Sequence, residues 1–201
     1  MIAALFVDPA GVYAVDGVDC WGIDRDARLY NGPWPVVAHP PCERWGRMAT
    51  GGPSAPHTQK LGDDGGCFAA AWAAVHRWGG VLEHPADSHA WDAFGLYRPA
   101  RYGGWSAADT FGGWTCYVEQ GHYGHCSRKP TWLYARRCIL PDLIWAPSPQ
   151  RIHPVALERH GYAKARRIGM CAMIGGKRKT ELRNATPPAF RDVLLAMARS
   201  V

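Results

Sequence analysis

Short apolar runs, each closed by polar residues, glycine or proline, recur through the first 40 positions of the chain. They cover residues 3–7, 17–23 and 36–38, and each is followed by a turn-forming sequence. Apolar runs of this length, bounded by Pro, Gly and Asp, are typical of buried strands. The pattern therefore predicts three strands before residue 40.

The connection between the first two predicted strands is short, because only residues 9–16 separate them. A crossover between parallel strands normally takes a dozen or more residues. Two interpretations remain open at this point: a parallel pair with a shortened crossover, or an antiparallel hairpin.

A second pattern follows a stretch rich in Gly, Pro and Ser. The Ala-rich segment Cys67–Trp78 is apolar nearly all round and is followed by two glycines, which predicts a buried helix. Val81 and Leu82 then predict a strand that ends at Glu83. With the strand at 36–38 this makes a strand–helix–strand unit of parallel strands. We therefore expect Cys42 and Glu83 at the same edge of neighbouring strands.

The second half of the chain is less regular. Residues 86–113 and 141–186 show weak periodicity, whereas residues 112–120 and 131–135 predict a hairpin-like or crossed pair of strands at a sheet edge. Thr186 is the predicted N-cap of a last helix. Apolar residues at helical spacing define that helix, namely Phe190, Val193, Leu194 and Met197.

These elements predict an α/β fold, a reduced Rossmann-like (methyltransferase-type) sheet flanked by helices, with a basic C-terminal part. We divide the chain into an α/β catalytic core at 1–140 and a basic, loop-rich segment facing nucleic acid at 141–186. The C-terminal helix at 187–201 is expected to pack back on the core. The whole is expected to be a single domain, which suits its 201 residues.

Charge is distributed unevenly along the chain. Residues 126–201 hold 15 Lys and Arg against 4 Asp and Glu, whereas residues 1–125 hold 8 against 13. This asymmetry predicts an anionic partner, with DNA as the first candidate and a solvated basic face as the alternative. The predicted contacts to nucleic acid are Arg159, Lys164, Arg166, Arg167, Lys177, Arg178 and Lys179.

The cysteine content and the hydropathy of the chain bear on its compartment, on membrane contact and on metal binding. There are seven cysteines, an odd number without a CxxC pair, which argues against a disulfide framework or a zinc ribbon and fits a reducing cytoplasm. No apolar run is long enough to span a bilayer, so we expect no membrane partner. Potential soft ligands lack a tight spacing, so no metal site is predicted; they are His39, Cys42, His122, His125 and Cys126.

The chemistry of the chain is expected to centre on Cys42 and Glu83. Two prolines stiffen the turn that carries Cys42 just past its strand, where open α/β sheets place their sites. Thiolate attack at C6 of a pyrimidine makes C5 nucleophilic, and a carboxyl group beside N3 and the exocyclic amine stabilises the adduct. His39 and His84 flank the two residues and are candidates for tuning the thiol. The alternatives are a packed cysteine and an ion-paired carboxylate.

The order of these motifs resembles the cytosine-5 DNA methyltransferases, most closely their small, divergent phage and prophage members. The resemblance rests on the following segments in this order: Pro40-Pro41-Cys42, the buried helix, Glu83-His84-Pro85, Tyr123-Gly124, Arg128 to Tyr134, and Thr186-Pro187-Pro188 before the last helix. It implies that Cys42 is the nucleophile and that Glu83 contacts the cytosine. His84 stands where the family has Asn. It further implies base or substrate contacts from Pro41, His84, Arg128, Lys129 and Thr131.

The resemblance also implies S-adenosylmethionine as cofactor, with Asp8, Gly11 and Asp24 as candidate ligands. The loop after the first strand has one glycine and a proline where the family has a Gly-rich sequence, so another one-carbon donor or a pyrimidine alone is the alternative. The expected activity is C5 modification of DNA cytosine by a transferase in the cytoplasm of a bacterial host. The alternatives are a non-catalytic nucleic-acid-binding protein on a degenerate fold and an enzyme of free pyrimidine nucleotides.

Overall fold

The computed structural model describes residues 1–46, 49, 60–149, 151–166 and 182–201. It is a mixed α/β structure built on one sheet. The seven strands are β1 Ile2–Leu5, β2 Val18–Trp21, β3 Val36–Ala38, β4 Gly80–Pro85, β5 Ser106–Ala107, β6 Trp114–Glu119 and β7 Pro130–Arg136. The helices are α1 Cys67–Trp78, α2 Ala90–Ala93, α3 Pro154–Ala165 and α4 Pro188–Arg199.

The sheet has the strand order β2-β1-β3-β4-β7-β6-β5. Strands β2, β1, β3 and β4 are parallel, so the first connection is a shortened crossover and not a hairpin. Residues 6–17 form this crossover from turns and bends without any helix. Strand β1 lies between β2 and β3, so the chain adds β2 on one side of β1 and β3 on the other. The carboxyl end of β1 is therefore the point where the strand order reverses.

The predicted strand–helix–strand unit is present, with α1 between the parallel neighbours β3 and β4. Gly80 begins β4 at φ +112, and a Cβ there would lie 2.0 Å from the Val36 carbonyl oxygen. Only glycine permits both this backbone angle and this close approach. The glycine therefore allows the start of β4 to lie directly against β3.

The remaining strands are antiparallel. β7 pairs with β4 on one side and with β6 on the other, so β7 lies inside the sheet and not at its edge. The edge is the short strand β5, paired with β6. Both β5 and α2 fall in the segment that the sequence pattern left irregular.

Side chains along the central strands pack alternately into two hydrophobic cores, one on each face of the sheet. Ala38 and Leu82 pack on the α1 face, whereas Val37 and Val81 pack on the α4 face. Helix α4 contributes Phe190, Leu194, Leu195 and Met197 to its core. Its N-cap is Pro187, without a side-chain cap, so the prediction of Thr186 as the cap was wrong.

Helix α3 arises in a segment whose periodicity was too weak to predict a helix. It begins at Pro154, with His153 as its N-cap, and is interrupted at Gly161, whose φ of 70 is not helical. None of the helices among the described residues is long and apolar enough to traverse a bilayer.

Candidate active site

Glu83 lies near the carboxyl end of β4 on the α4 face, and its carboxylate is almost completely buried. Its Oε2 lies 3.0 Å from Nδ1 of His39, and its Oε1 accepts a 2.9 Å hydrogen bond from Nε2 of Gln120. The Thr131 hydroxyl lies 3.3 Å from the same Oε1 and accepts a second bond from Gln120. Residues from β3, β4, β7 and the turn after β6 thus meet at one carboxyl group.

This surrounding keeps Glu83 ionised. Burial by itself raises the pKa of the carboxyl group, but the hydrogen bond from His39 and the charge of Lys129 outweigh it. The pKa is lowered to about 2. An ionised carboxylate only accepts hydrogen bonds, so Glu83 meets a ligand as an acceptor.

Cys42 is held in a tight turn that begins where β3 ends. Its carbonyl oxygen accepts hydrogen bonds from the backbone N–H groups of Trp45 and Gly46, at 3.1 and 2.8 Å. The Trp45 indole donates to Asp64 Oδ2 at 2.7 Å and packs on Phe68 of α1. The turn is therefore fixed to α1 through a buried tryptophan.

The Cys42 side chain is half-buried, and its pKa is raised above the ordinary value of a thiol. Burial is the largest cause, the negative charge of Glu83 is the next, and the charge of Arg183 acts in the opposite direction. Cys42 is therefore a protonated thiol in the free protein at neutral pH.

His39 does not tune the thiol directly, as the sequence suggested, but connects Glu83 to Tyr13. Its Nε2 lies 2.6 Å from the Tyr13 hydroxyl, while its Nδ1 faces Glu83. Tyr13 is buried in the core on the α4 face. Nothing in the sequence marked Tyr13, because it lies in the turns between β1 and β2.

His84, predicted to contact the substrate, lies on the opposite face of β4 from Glu83. It is completely buried, its Nδ1 lies 2.8 Å from the Ser88 hydroxyl, and its ring packs on Phe68 and Trp91. Burial lowers its pKa to about 4, against the opposing charge of Glu83 and the nearby Pro41 carbonyl. The structure therefore makes His84 a support beneath the Cys42 turn and does not bring it to the carboxylate; Pro41 itself is exposed.

Residues 182–185, which are distant in the sequence, lie beside the site around Glu83. Lys129 Nζ donates to the carbonyl oxygens of Asn184 and Ala185, at 3.0 and 2.9 Å, and its charge acts on Glu83. In the sequence, Arg183 lies between Leu182 and Asn184. The carbonyl oxygen of Leu182 lies 3.0 Å from His125 Nε2. Residues 182–185 therefore border the site, Thr131 lies inside it, and Arg128 is exposed at its rim.

The residues proposed for S-adenosylmethionine lie between β1 and β2 and in the turn after β2. Asp8 accepts a hydrogen bond from the Ala10 N–H at 2.9 Å, and both Asp8 and Asp24 are exposed. The chain after β1 lies close to the chain that follows β2: a Cβ on Gly22 would be 2.7 Å from the Val7 carbonyl. No helix follows β1 to receive an anionic group, and S-adenosylmethionine as the cofactor stays a prediction.

The predicted DNA contacts are only partly within the described residues. Arg159, Lys164 and Arg166 are exposed on or next to α3. Arg167, Lys177, Arg178 and Lys179 lie outside the described residues. Within the described ranges, no group of three or more His, Cys, Asp or Glu is arranged to hold a metal ion. His122 instead contacts the Ala146 carbonyl at 2.8 Å.

A second buried carboxylate, Glu119, ends β6 at the same edge of the sheet as Glu83. Its Oε1 accepts from the hydroxyls of Tyr102 and Tyr117, and its Oε2 accepts from the N–H and hydroxyl of Ser148. Despite its burial, these bonds lower its pKa to about 2. Every one of its donors belongs to the protein, so Glu119 ties two loops to the sheet.

The chain matches no protein-family model, no curated protein and no solved structure. What it does must therefore be argued from the geometry around Cys42 and Glu83.

Proposed function

We propose that the protein binds a cytosine base of DNA between Cys42 and Glu83 and forms a covalent bond from the Cys42 sulfur to C6 of the base. One observation carries this proposal. A thiol in the turn after β3 and a buried carboxylate on β4 lie at the carboxyl ends of neighbouring parallel strands. This pairing suits nucleophilic attack on a ring whose edge is held by hydrogen bonds.

The charge state of Glu83 determines which hydrogen-bonding groups a bound base must present to it. Glu83 is ionised and accepts hydrogen bonds, so its partner must present N–H groups. Cytosine presents its exocyclic amine, and also an N–H at N3 once that nitrogen is protonated in the adduct. The interaction with Glu83 is then stronger in the adduct than in the free base, which is the condition for catalysis.

The addition step needs only the Cys42 thiol, the Glu83 carboxylate and the cytosine ring. The Cys42 sulfur forms a bond to C6, the C5–C6 double bond shifts to C4–C5, and the electron pair of the C4–N3 double bond moves to N3. The proton that leaves the thiol passes to N3 by way of the Glu83 carboxylate. C5 then carries the nucleophilic electron density of an enamine and can take up an electrophile.

The sheet supports a reduced Rossmann-like, methyltransferase-type fold. Its parallel part has β1 flanked by β2 and β3, and the candidate site lies at the carboxyl ends of these strands, where open α/β sheets bind ligands. The segment between β1 and β2 is too short to complete a cofactor half. We therefore assign no methyl donor, and no step of the proposal passes through one.

DNA is the proposed source of the base because of the charge distribution. Residues 126–201 carry 15 basic against 4 acidic side chains, and Arg159, Lys164 and Arg166 are exposed. Such a surface binds phosphates. A cytosine in duplex DNA must leave the stack to reach a thiol and a carboxylate at a sheet edge.

The proposal is tested by trapping the adduct. DNA carrying 2-pyrimidinone in place of cytosine has a more electrophilic C6 and should form a covalent complex with wild type that survives denaturation. Cys42→Ala should form none, whereas Cys67→Ala, which changes a half-buried cysteine at the start of α1, should behave as wild type. Equal amounts of complex from wild type and Cys42→Ala would overturn the proposal.

A second candidate is a non-catalytic DNA-binding protein on the same fold. The observation that favours it is the shortened connection between β1 and β2, which contains no helix. It predicts salt-sensitive DNA binding that is unchanged in Cys42→Ala, together with no adduct from wild type. Adduct formation on a free pyrimidine nucleotide, but not on DNA, would instead favour an enzyme of nucleotides.

A further inference from the structure

We propose that Tyr13 and His39 are positioning residues that hold Oε2 of the Glu83 carboxylate toward the substrate base. This inference rests on the proposed function, since it names how the base-contacting carboxylate is oriented. Neither residue is one of the two reacting groups. The chain of contacts runs from the Tyr13 hydroxyl through both ring nitrogens of His39 to Glu83 Oε2, at 2.6 and 3.0 Å.

Counting acceptor positions shows which oxygen can meet a ligand. A carboxylate offers about four lone-pair positions, two on each oxygen. Gln120 Nε2 donates to Oε1 at 2.9 Å, and the Thr131 hydroxyl lies 3.3 Å from the same atom. His39 occupies one position on Oε2. The Thr131 hydroxyl also lies 3.1 Å from the Lys129 carbonyl oxygen, so its single proton is shared between two acceptors. Among the described residues Oε2 accepts from His39 alone, so this oxygen keeps an acceptor position for a ligand, and His39 orients it.

The direction of each hydrogen bond follows from the ionisation of Glu83. An ionised carboxylate has no proton to give, so the bond between Nδ1 and Oε2 needs the proton on Nδ1. Burial and the charge of Glu83 raise the pKa of Tyr13 well above its usual range, so its hydroxyl keeps its proton and can donate to Nε2. Glu83 thereby selects the Nδ1–H form of His39, and the Tyr13 hydroxyl donates to the remaining lone pair on Nε2.

Tyr13 is itself fixed on both sides. The Cys20 thiol of β2 donates to the Tyr13 carbonyl at 3.3 Å. Arg191 of α4 donates to the carbonyl of Val12 at 2.8 Å. The turns between β1 and β2 are thus tied to β2 and to α4, and the tyrosine side chain is buried against His39. The shortened crossover thereby supplies a support for the base-contacting group.

The substitution Tyr13→Phe removes one hydroxyl and leaves the ring. Without that donor, Nε2 of His39 loses its hydrogen-bond partner, while the ionised Glu83 still keeps the proton on Nδ1. The imidazole ring is then held on one side only, and Oε2 is less firmly held in its position. A loss of positioning of this kind commonly lowers a rate by about 10- to 100-fold. We expect this loss in adduct formation on 2-pyrimidinone DNA, with DNA affinity unchanged.

The deciding experiment reads the histidine directly, by ¹⁵N NMR of the imidazole nitrogens of the full chain at neutral pH. His39→Gln identifies the signals of His39. Wild type should show a protonated Nδ1 and an unprotonated, hydrogen-bonded Nε2, and Tyr13→Phe should shift the Nε2 resonance toward that of a nitrogen without a donor while the proton stays on Nδ1. Tyr97→Phe, at an exposed tyrosine, is the matched control and should leave the signals unchanged.

The outcomes separate this inference from the proposed function. A proton on Nε2 in wild type, or the same Nε2 resonance in wild type and Tyr13→Phe, overturns the positioning role whatever the adduct assay shows. If the Nε2 resonance shifts as expected but wild type forms no adduct, the proposed function fails while the hydrogen-bonded chain stands. A shifted Nε2 resonance together with slower adduct formation in Tyr13→Phe, and neither change in Tyr97→Phe, supports both.

Discussion

The ionised carboxylate of Glu83 raises the pKa of the Cys42 thiol across the gap between β4 and the turn after β3. The same charge that would hold a base edge therefore keeps the nucleophile protonated until a ligand arrives. A ligand that engages Glu83 with N–H groups neutralises this effect, so binding and activation of the thiol are linked.

This link predicts the effect of Glu83→Gln on thiol chemistry. Removing the charge lowers the pKa of Cys42, so its thiolate fraction near pH 8 rises and alkylation by iodoacetamide should be faster by roughly threefold or more. Peptide mass spectrometry after timed alkylation measures Cys42 separately from the other cysteines. Glu43→Gln, an exposed neighbour whose charge is the weakest of the causes, should change the rate much less. Equal rates in wild type and Glu83→Gln would contradict the link.

A second prediction concerns Gln120, whose Oε1 is buried without a hydrogen-bond partner in the described structure. Gln120→Glu places a second carboxyl group against Glu83, and two such groups cannot both be ionised at low cost. Unfolding by urea should show a loss of about 2–4 kcal/mol at pH 8 that shrinks toward pH 5. Gln120→Leu should lose stability to a similar extent at both pH values. A pH-independent loss in Gln120→Glu would show that Glu83 is not ionised nearby.

His84 should make folding sensitive to mild acid. Its folded pKa is lowered to about 4 from 6.5, so the unfolded chain binds a proton below pH 6.5 that the folded chain does not. This contribution is fully present above pH 6.5 and falls away down to pH 4, by about 3 kcal/mol in all. His84→Asn should flatten the profile in this window. Ser88→Ala, which removes the hydrogen-bond partner but keeps the histidine, should retain the slope; a slope unchanged in His84→Asn would contradict the assignment.

The shortened connection after β1, which has no helix, predicts that S-adenosylmethionine does not bind. Isothermal titration of the full chain with this compound, with and without DNA, should show only the heat of dilution. The Gly22→Ala variant, whose new Cβ would lie 2.7 Å from the Val7 carbonyl, should be destabilised by about 1–3 kcal/mol because the two segments touch. Saturable heat at one equivalent would show that residues 6–17 rearrange to accept the cofactor.

The basic face of α3 predicts a defined salt dependence of DNA binding. Replacing Arg159, Lys164 and Arg166 by Gln should lower the slope of log affinity against log salt by up to about 3, since each phosphate contact contributes close to one. Fluorescence anisotropy at several salt concentrations measures this slope. Lys60→Gln, an exposed lysine before α1, is the control and should leave the slope unchanged. A triple variant with the wild-type slope would exclude α3 from the DNA surface.

The sequence predicted the elements that local patterns determine. The strand Val36–Ala38 and the helix Cys67–Trp78 lie where predicted, because prolines and glycines bound a short apolar run in one case and an Ala-rich run in the other. The strand–helix–strand unit followed from these and placed Cys42 and Glu83 at one edge. Helix α3 escaped prediction because Gly161 breaks its periodicity.

The parts of the site that the sequence did not predict depend on tertiary contacts. Tyr13 and His39 are 26 positions apart, and His39 and Glu83 are 44 apart, so no local spacing connects them. His84 was assigned to the substrate by its place beside Glu83, but strand alternation puts neighbouring side chains on opposite faces. The alternation of side chains along a strand could have been applied to the sequence alone. The partners of Glu83 on other strands could not be predicted without knowing the strand order.

The most direct measurement of the central claim is exchange of the C5 hydrogen of cytosine in DNA. A Cys42–C6 adduct makes C5 nucleophilic, so in D₂O it takes up deuterium, and loss of the original hydrogen with release of the thiol returns labelled cytosine without any methyl donor. Nucleoside mass spectrometry should detect deuterated cytosine with wild type and with Cys67→Ala, and none above background with Cys42→Ala. No label with wild type, or equal label with Cys42→Ala, would contradict attack by Cys42 on the base.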